Sequence, residues 1–240
     1  MNRPTHAMIA AAGLGTRMGE LTANRPKALV EFAGKTLLDH QLERLAAAGV
    51  GQAVVNVHHF ADQMQAHLAA RKPPPNIQIS DERDGLLETG GGLVKAAKYL
   101  GKQPFFVINV DSIWTGHETA LLELAECKAK NPEALAVLLL ARKTQSLGLH
   151  TAGDFHMDST GKVSRRKGEQ ISEFYYAGAQ IFDPAALRGF AETRFSTNLF
   201  WDKALAEGRL FGLELDGFWM HVGDPKSLQL AEQKYAKTSK

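Results

Sequence analysis

Two cations near the start of the chain, Arg17 and Lys27, stand where they can grip an anion. Arg17 closes the run Ala10-Ala11-Ala12-Gly13-Leu14-Gly15-Thr16-Arg17-Met18, and Lys27 follows a proline in Arg25-Pro26-Lys27. Glycines let backbone N–H groups close around an anion, and the two side chains add full charges. That equipment suits a nucleoside triphosphate. Two common phosphate motifs are absent. Met18 stands at the third glycine of the dinucleotide fingerprint, and Leu29 stands where a P-loop ending in Gly34-Lys35-Thr36 needs its first glycine. An isolated G-x-G is usually a turn with exposed charges; Arg17 and Pro26-Lys27 at short range favour the anion site.

Three more groups of residues carry chemistry. Leu87-Glu88-Thr89-Gly90-Gly91-Gly92-Leu93 puts three glycines at the start of an expected helix. They permit close approach by a flat or anionic ligand, or else form a flexible turn with Thr89 as N-cap. Asn109-Val110-Asp111 ends a strand-like segment, where ligands of open α/β sheets bind. Asp111 there suits Mg²⁺, with capping of a following helix as the plainer role. Trp219-Met220-His221-Val222-Gly223-Asp224-Pro225 lies near the far end. No H-E-x-x-H or G-x-S-x-G is present, so nothing indicates a zinc protease or a covalent intermediate. His58 and His59 are consecutive strand residues pointing to opposite faces, which suits a structural role or a ribose contact.

The opening loop resembles the signature of the nucleotidyltransferases that make nucleotide sugars, A-A-G-x-G-[TE]-R-[ML]-x-P-L-T followed by P-K. It departs once, with Glu20 for the proline before Leu21-Thr22, which loosens the loop's exit. The resemblance implies a nucleotide-diphospho-sugar transferase fold in which Ala11, Ala12, Gly13, Gly15 and Thr16 hold phosphate. Arg17 would hold the departing β- and γ-phosphates and Lys27 the α-phosphate, so that Arg17, Lys27 and Asp111 are the catalytic set. The 87–93 segment resembles the family's L-G-T-A-G-A-L stretch, which puts Glu88, Thr89, Gly90 and Gly91 at the base and ribose. Its Glu-Thr-Gly-Gly-Gly form is similar to that of bacterial N-acetylmuramate-1-phosphate uridylyltransferases, used in cell-wall recycling.

The same resemblance makes Asp111 a ligand of Mg²⁺ and aligns 219–225 with the family's W-x-D-V-G-T-P. His221 then replaces a second metal-binding aspartate. Three roles stand open, the first placed ahead: His221 ligates the metal, with Mn²⁺ favoured; it contacts phosphate; or Asp224 reaches in. On the sugar side the resemblance implies Asn109, Gly153, Glu173, Gly178 and Asn198, the last with helix capping as its alternative. The basic run Arg165-Arg166-Lys167 is either a solvated turn or the partner of an acidic sugar, for which a lactyl carboxylate qualifies. The implied reaction is transfer of a nucleotidyl group from a nucleoside triphosphate to a sugar 1-phosphate, with UTP and N-acetylmuramate 1-phosphate first. A mannose-1-phosphate guanylyltransferase is the alternative, and a non-catalytic nucleotide-sugar sensor the reading of another class. A glycosyltransferase would want a D-x-D pair, which Asp111-Ser112-Ile113 lacks.

The elements that must position these residues are legible as alternation. Residues 6–12, 53–57, 77–79, 105–110 and 135–141 read as strands. Helices are expected at 37–45, 60–71, 93–100 and 120–130, with Gly49 ending the first. The expected class is α/β: three layers, a mostly parallel central sheet with helices on both faces. After about Arg142 the pattern changes. Residues 153–158 and 163–166 read as a hairpin, 174–182 as a strand, 199–208 as a helix, and 210–215 with 218–222 as a second hairpin, before a helical tail. One domain is expected, with a nucleotide-binding half (1–142) and a hairpin-rich sugar-binding half (143–240). Its 240 residues leave no room for the acyltransferase or left-handed β-helix extensions of some relatives.

Composition adds bounds. A net charge of +2 gives no general pull toward nucleic acid or membrane, so an anion site must be local. Hydrophobic residues at 44% suit an ordinary globular chain. The one cysteine, Cys127, excludes an intrachain disulfide and reads as a buried thiol on a helix. No apolar run nears the ~20 residues of a membrane span, and no signal peptide is legible, so a cytoplasmic protein is expected. Oligomeric state has no sequence signal.

Overall fold

The computed structural model describes residues 3–238. Strand β1 (His6–Ala10) encloses Ala7, Met8 and Ile9 completely, as a central parallel strand requires. After the glycine loop come the ribbon of β2 (Glu31–Phe32) and β3 (Lys35–Thr36) and then helix α1 (Leu37–Ala47). Thr36 caps α1 by accepting from the Asp39 N–H, and Leu37, Leu38, Leu42 and Leu45 form its buried face. Next are β4 (Gln52–Val57), α2 (Ala61–Ala69), β5 (Asn76–Asp81), α3 (Glu88–Ala96) and β6 (Phe105–Asn109). The remainder comprises β7 (Ser112–Thr115), α4 (Ala120–Lys130), β8 (Ala136–Arg142), β9 (Ser146–Leu147), β10 (Phe155–Met157), β11 (Val163–Arg165) and β12 (Phe174–Phe182). α5 (Asn198–Ala206), β13 (Leu210–Glu214), β14 (Phe218–His221) and α6 (Pro225–Thr238) complete it.

The main sheet runs β11-β10-β12-β6-β1-β4-β5, with β8 beside β12 and β13 beside β8. β1, β4, β5 and β6 pair in parallel, as do β8 and β13; only β11 and β12 run against the common direction. Alternate strand residues feed two cores. Ala7 and Ile9 join α1, α2, α4 and α6 on one face, while Met8 joins α3 and α5 on the other. This is the three-layer α/β architecture expected, and both cores draw residues from before and after position 142. Among the described residues, no helix is long and apolar enough to cross a membrane.

Two expectations about elements are corrected. The second hairpin does not form. β13 lies parallel to β8, from Leu210 opposite Ala136 to Glu214 opposite Leu140, and the Leu215 N–H extends the ladder to the Leu140 carbonyl at 2.8 Å. β14 pairs instead with β7 and β9 in a separate three-stranded sheet. β13 takes the edge of β8 while β14 joins the second sheet, and the two placements bury Leu210, Phe211, Trp219 and Met220. The second correction is α3, which begins at Glu88 rather than at 93, so Gly90–Gly92 lie inside a helix. The first hairpin forms as expected, with Met157 opposite Val163.

Candidate active site

Two cavities meet where β6 ends. One, of about 320 Å³, is lined by Ala11, Ala12, Gly13, Lys27, Asn56, Glu88 and Thr89 among others. The other, of about 400 Å³, is lined by Gly153, Asp154, Arg166, Tyr176, Gly178, Asn198 and His221 among others. Asn109 and Asp111 line both. Ala11, Ala12, Gly13, Glu88 and Thr89 of the expected nucleotide set and Gly153, Gly178 and Asn198 of the expected sugar set therefore fall in adjoining spaces, with Asp111 at their junction.

Asp111 sits in the turn between β6 and β7. The Val110 N–H donates to the Ala10 carbonyl at 3.3 Å, and the Val222 N–H to the Asp111 carbonyl at 3.0 Å. The latter ties the β6 end to the segment after β14. Lys27 comes from a short 3₁₀ turn after Pro26, and its ammonium pairs with Asp111 Oδ2. His221 Nε2 lies 3.3 Å from the same oxygen. Burial pushes the Asp111 carboxyl up, but Lys27 and His221 override it and hold the group well below the usual carboxylate range. It is an ionised acceptor. Nearby, burial and then the Asp111 charge push the Tyr176 hydroxyl well above its ordinary value. Tyr176 Oη and His221 Nδ1 are buried without a hydrogen-bond partner among the described residues. Orphaned polar atoms in a cavity wall mark where a ligand's polar groups fit.

The glycine loop differs from expectation in its donors. The Ala11 and Ala12 N–H groups donate to Asn56 Oδ1 at 2.7 and 3.2 Å, so they are engaged within the protein rather than held open for phosphate. Asn56 Nδ2 donates to Glu82 Oε1 at 2.7 Å, and Glu82 Oε2 accepts from the Leu87 N–H at 3.1 Å. This buried relay ties the loop to the start of α3. Sequence reading missed both residues; an asparagine inside the apolar run 53–57 was the available signal. Gly15 accepts from Thr22 Oγ1 at 3.0 Å and does not line the cavity. Thr16 and Arg17 are exposed, and among the described residues no hydrogen bond or ion pair holds the Arg17 side chain.

In α3 the glycines serve the protein's own packing. A Cβ on Gly90 would strike the Phe195 ring, and one on Gly91 the Thr193 carbonyl. Their N–H groups donate to the Phe195 carbonyl at 2.8 and 3.2 Å. Gly90 and Gly91 thus let residues 193–195 cross the helix, and neither lines the nucleotide cavity. Thr89 is not an N-cap, since Leu87 holds that position; its Oγ1 accepts from the Thr197 N–H at 3.0 Å. Glu88 pairs with Arg194 at 2.9 Å.

On the sugar side, Gly178 has φ +73° at the irregularity in β12, and a Cβ there would meet Ser112 Cβ at 2.5 Å. Ser112 in turn receives the Trp219 Nε1–H at 2.8 Å and donates to the Ala177 carbonyl. This contact locks β12, β7 and β14 around Asp111. Glu173, expected here, is exposed and outside the cavity, because alternation along the strand start turns it to solvent while Phe174 is buried. Asp224, the alternative for completing a metal site, lines neither cavity; its oxygens accept from Ser227 N–H and Oγ at 2.9 and 2.6 Å and cap α6. His58 accepts the structural alternative, Nδ1 lying 2.7 Å from the Glu82 carbonyl. Cys127 is half-buried on α4.

Among the described residues no three His, Cys, Asp or Glu side chains gather as a metal cage. Asp111 and His221 are the two donors at the junction. One carboxylate with substrate phosphate oxygens is a donor set Mg²⁺ accepts, so the residues fit a metal that arrives with phosphate.

Residues 7–157 match the model of the MobA-like NTP transferase domain. The chain belongs to this family. It is 47% identical, over 98% of both chains, to the N-acetylmuramate alpha-1-phosphate uridylyltransferase of Caulobacter vibrioides. It is 34% identical to the mannose-1-phosphate guanyltransferase of Hypocrea jecorina, matching 91% of this chain but only 61% of that longer one. This NTP transferase shares its fold with a UDP-glucose pyrophosphorylase complexed with UDP-glucose, at TM-score 0.80 and 13% identity over 98% of this chain and 99% of that one. HddC from Yersinia pseudotuberculosis gives 0.77 and 22% over 96% and 99%. The resemblance read from the opening loop is thus borne out.

Proposed function

We propose that the protein transfers the uridylyl group of UTP to N-acetylmuramate 1-phosphate, giving UDP-N-acetylmuramate and pyrophosphate. The observation that carries the reading is one ionised carboxylate, Asp111, shared by two adjoining cavities and paired with Lys27. A two-substrate phosphoryl transfer needs such a junction, because its catalysis is mostly positioning and charge stabilisation. The base and sugar follow from near full-length similarity to the Caulobacter protein, against a guanyltransferase matched over part of its length.

In this mechanism a phosphate oxygen of the sugar substrate attacks the α-phosphorus, and the bond to pyrophosphate breaks. Lys27 leaves Asp111 as nucleotide enters and meets the α-phosphate, where charge shifts in the transition state. Arg17, exposed at the loop surface, folds onto the β- and γ-phosphates. The Tyr176 hydroxyl and His221 Nδ1 offer hydrogen bonds to the sugar substrate's polar groups. Asp111, with phosphate oxygens of the substrates, would hold Mg²⁺, which neutralises phosphate charge. The nucleotide half extends to about residue 142, although Ser196 lines the nucleotide cavity and Asn109 and Asp111 the sugar cavity. UTP and sugar phosphates are cytoplasmic metabolites, which agrees with the location expected from the sequence.

The test is pyrophosphate release from the four nucleoside triphosphates against a panel of sugar 1-phosphates, with Mg²⁺ and Mn²⁺ in parallel. UTP with N-acetylmuramate 1-phosphate is expected to give the highest kcat/KM. Preference for GTP with mannose 1-phosphate would replace the reading, and binding without pyrophosphate release would make the protein a sensor.

A further inference from the structure

Two arginines line the sugar cavity, and they are not equivalent. Arg165 is already engaged. Its Nε and Nη2 reach Asp202 Oδ1 at 2.9 and 2.8 Å, and Nη2 reaches Asn198 Oδ1 at 3.1 Å. Its guanidinium also lies 5.5 and 5.8 Å from the centres of the Phe155 and Trp201 rings. Arg166 is held differently. Nε donates to the Gly153 carbonyl at 3.3 Å, and Nη1 to the carbonyls of Gly168 and, at 3.4 Å, Gln170. Among the described residues no carboxylate pairs with it and no bond uses Nη2. Three neutral carbonyls fix the direction of the guanidinium at the wall of a cavity without an ion pair among the described residues, and the Asp154 carboxylate acts on it only from beyond contact distance.

A charge in that state is prepared for an anion brought by the ligand, since a guanidinium fork binds a carboxylate through parallel N–H bonds. We propose that Arg166 receives a carboxylate carried by the sugar 1-phosphate, the lactyl ether carboxylate of N-acetylmuramate, and so selects that sugar over neutral ones. The inference rests on the preceding reading of this cavity as the sugar-phosphate site. The spacing agrees with it. Arg166 follows β11, which lies three strands from β6 through β10 and β12. At ~4.8 Å per step this is roughly 14 Å between backbones. Once side chains reach in from both sides, the interval suits one pyranose with its phosphate toward Asp111 and its lactyl group toward Arg166. Asp154, in the same wall, does not pair with Arg166; its Oδ2 accepts from the Tyr176 N–H at 3.0 Å and faces the cavity as an acceptor for a sugar hydroxyl.

The experiment compares N-acetylmuramate 1-phosphate with its analogue bearing a lactyl carboxamide, both with UTP. Wild-type protein is assayed with Arg166→Gln, Arg166→Lys and, as a control for surface charge, Lys167→Gln. Wild type is expected to prefer the acid. Arg166→Gln is expected to lose about 10–100-fold in kcat/KM for the acid, mainly through KM, with the acid-to-amide ratio collapsing. Arg166→Lys should recover part of the ratio, and Lys167→Gln should keep it. Equal use of acid and amide by wild type overturns the inference without any variant. Loss by the same factor on both substrates, or an unchanged ratio, in Arg166→Gln overturns it too. If wild type fails to release pyrophosphate from UTP with the acid, the parent reading falls, and this inference with it.

Discussion

The two ends of the site are built in different ways. The nucleotide end is built around a local segment: residues 11–13 and Lys27 belong to one short stretch, a buried Glu82–Asn56 relay fixes its backbone, and Glu88, Thr89 and Ser196 close the cavity from farther along the chain. The sugar end is assembled from afar. Asn109, Gly153, Arg166, Asn198 and His221 come from separate elements and meet around β12, which packs closely on Ser112 at Gly178. A local site tolerates distant change, whereas an assembled one depends on every crossing that joins its parts.

Substitutions can break that contrast. The largest effect is expected at the junction, where both ends share one carboxylate. Lys27→Ala should lower kcat by about 10²–10³-fold and weaken UTP binding, read by pyrophosphate release and by nucleotide titration. Near-normal turnover in this variant would remove the mechanism. Gly178→Ala comes next. Its Cβ would meet Ser112 and its backbone has φ +73°, so a loss of about 1–3 kcal/mol is expected in urea unfolding. The contrast predicts that it raises KM for the sugar phosphate more than KM for UTP; an equal rise in both would erase the distinction between the two ends. The smallest effect is Asp224→Ala. Losing the cap of α6 should cost about 1 kcal/mol and leave the Mg²⁺ dependence of the rate alone. A shifted Mg²⁺ dependence would return Asp224 to the metal site.

Much of the nucleotide end was legible, because its signals are carried by neighbours in sequence. Gly13, Pro26-Lys27 and Asp111 were read from short motifs, and Gly13, Lys27 and Asp111 line the nucleotide cavity; the helices expected at 37–45 and 120–130 were read from apolar spacing. Other local readings did not hold: Gly15 and Thr16 stand outside the nucleotide cavity. Gly90 and Gly91 carry the same sequence signal whether a ligand or a crossing chain segment occupies the space above them, and here residues 193–195 occupy it. Glu173 resembled a sugar contact by position, yet strand alternation turned it to solvent.

By itself the sequence determined the α/β alternation, the glycine loop followed by Lys27, the carboxylate at the end of β6 and the resemblance to nucleotide-sugar-forming enzymes. Each depends on backbone preference or periodicity over a few residues. Only the tertiary structure decided that β13 and β14 part company and that Asn56 takes the loop's N–H groups. It alone separated Arg165, ion-paired with Asp202, from Arg166, which forms no ion pair among the described residues. The physical reason is that hydrogen bonds and charges are satisfied by whatever packing brings near, and the partners here lie tens of residues away along the chain.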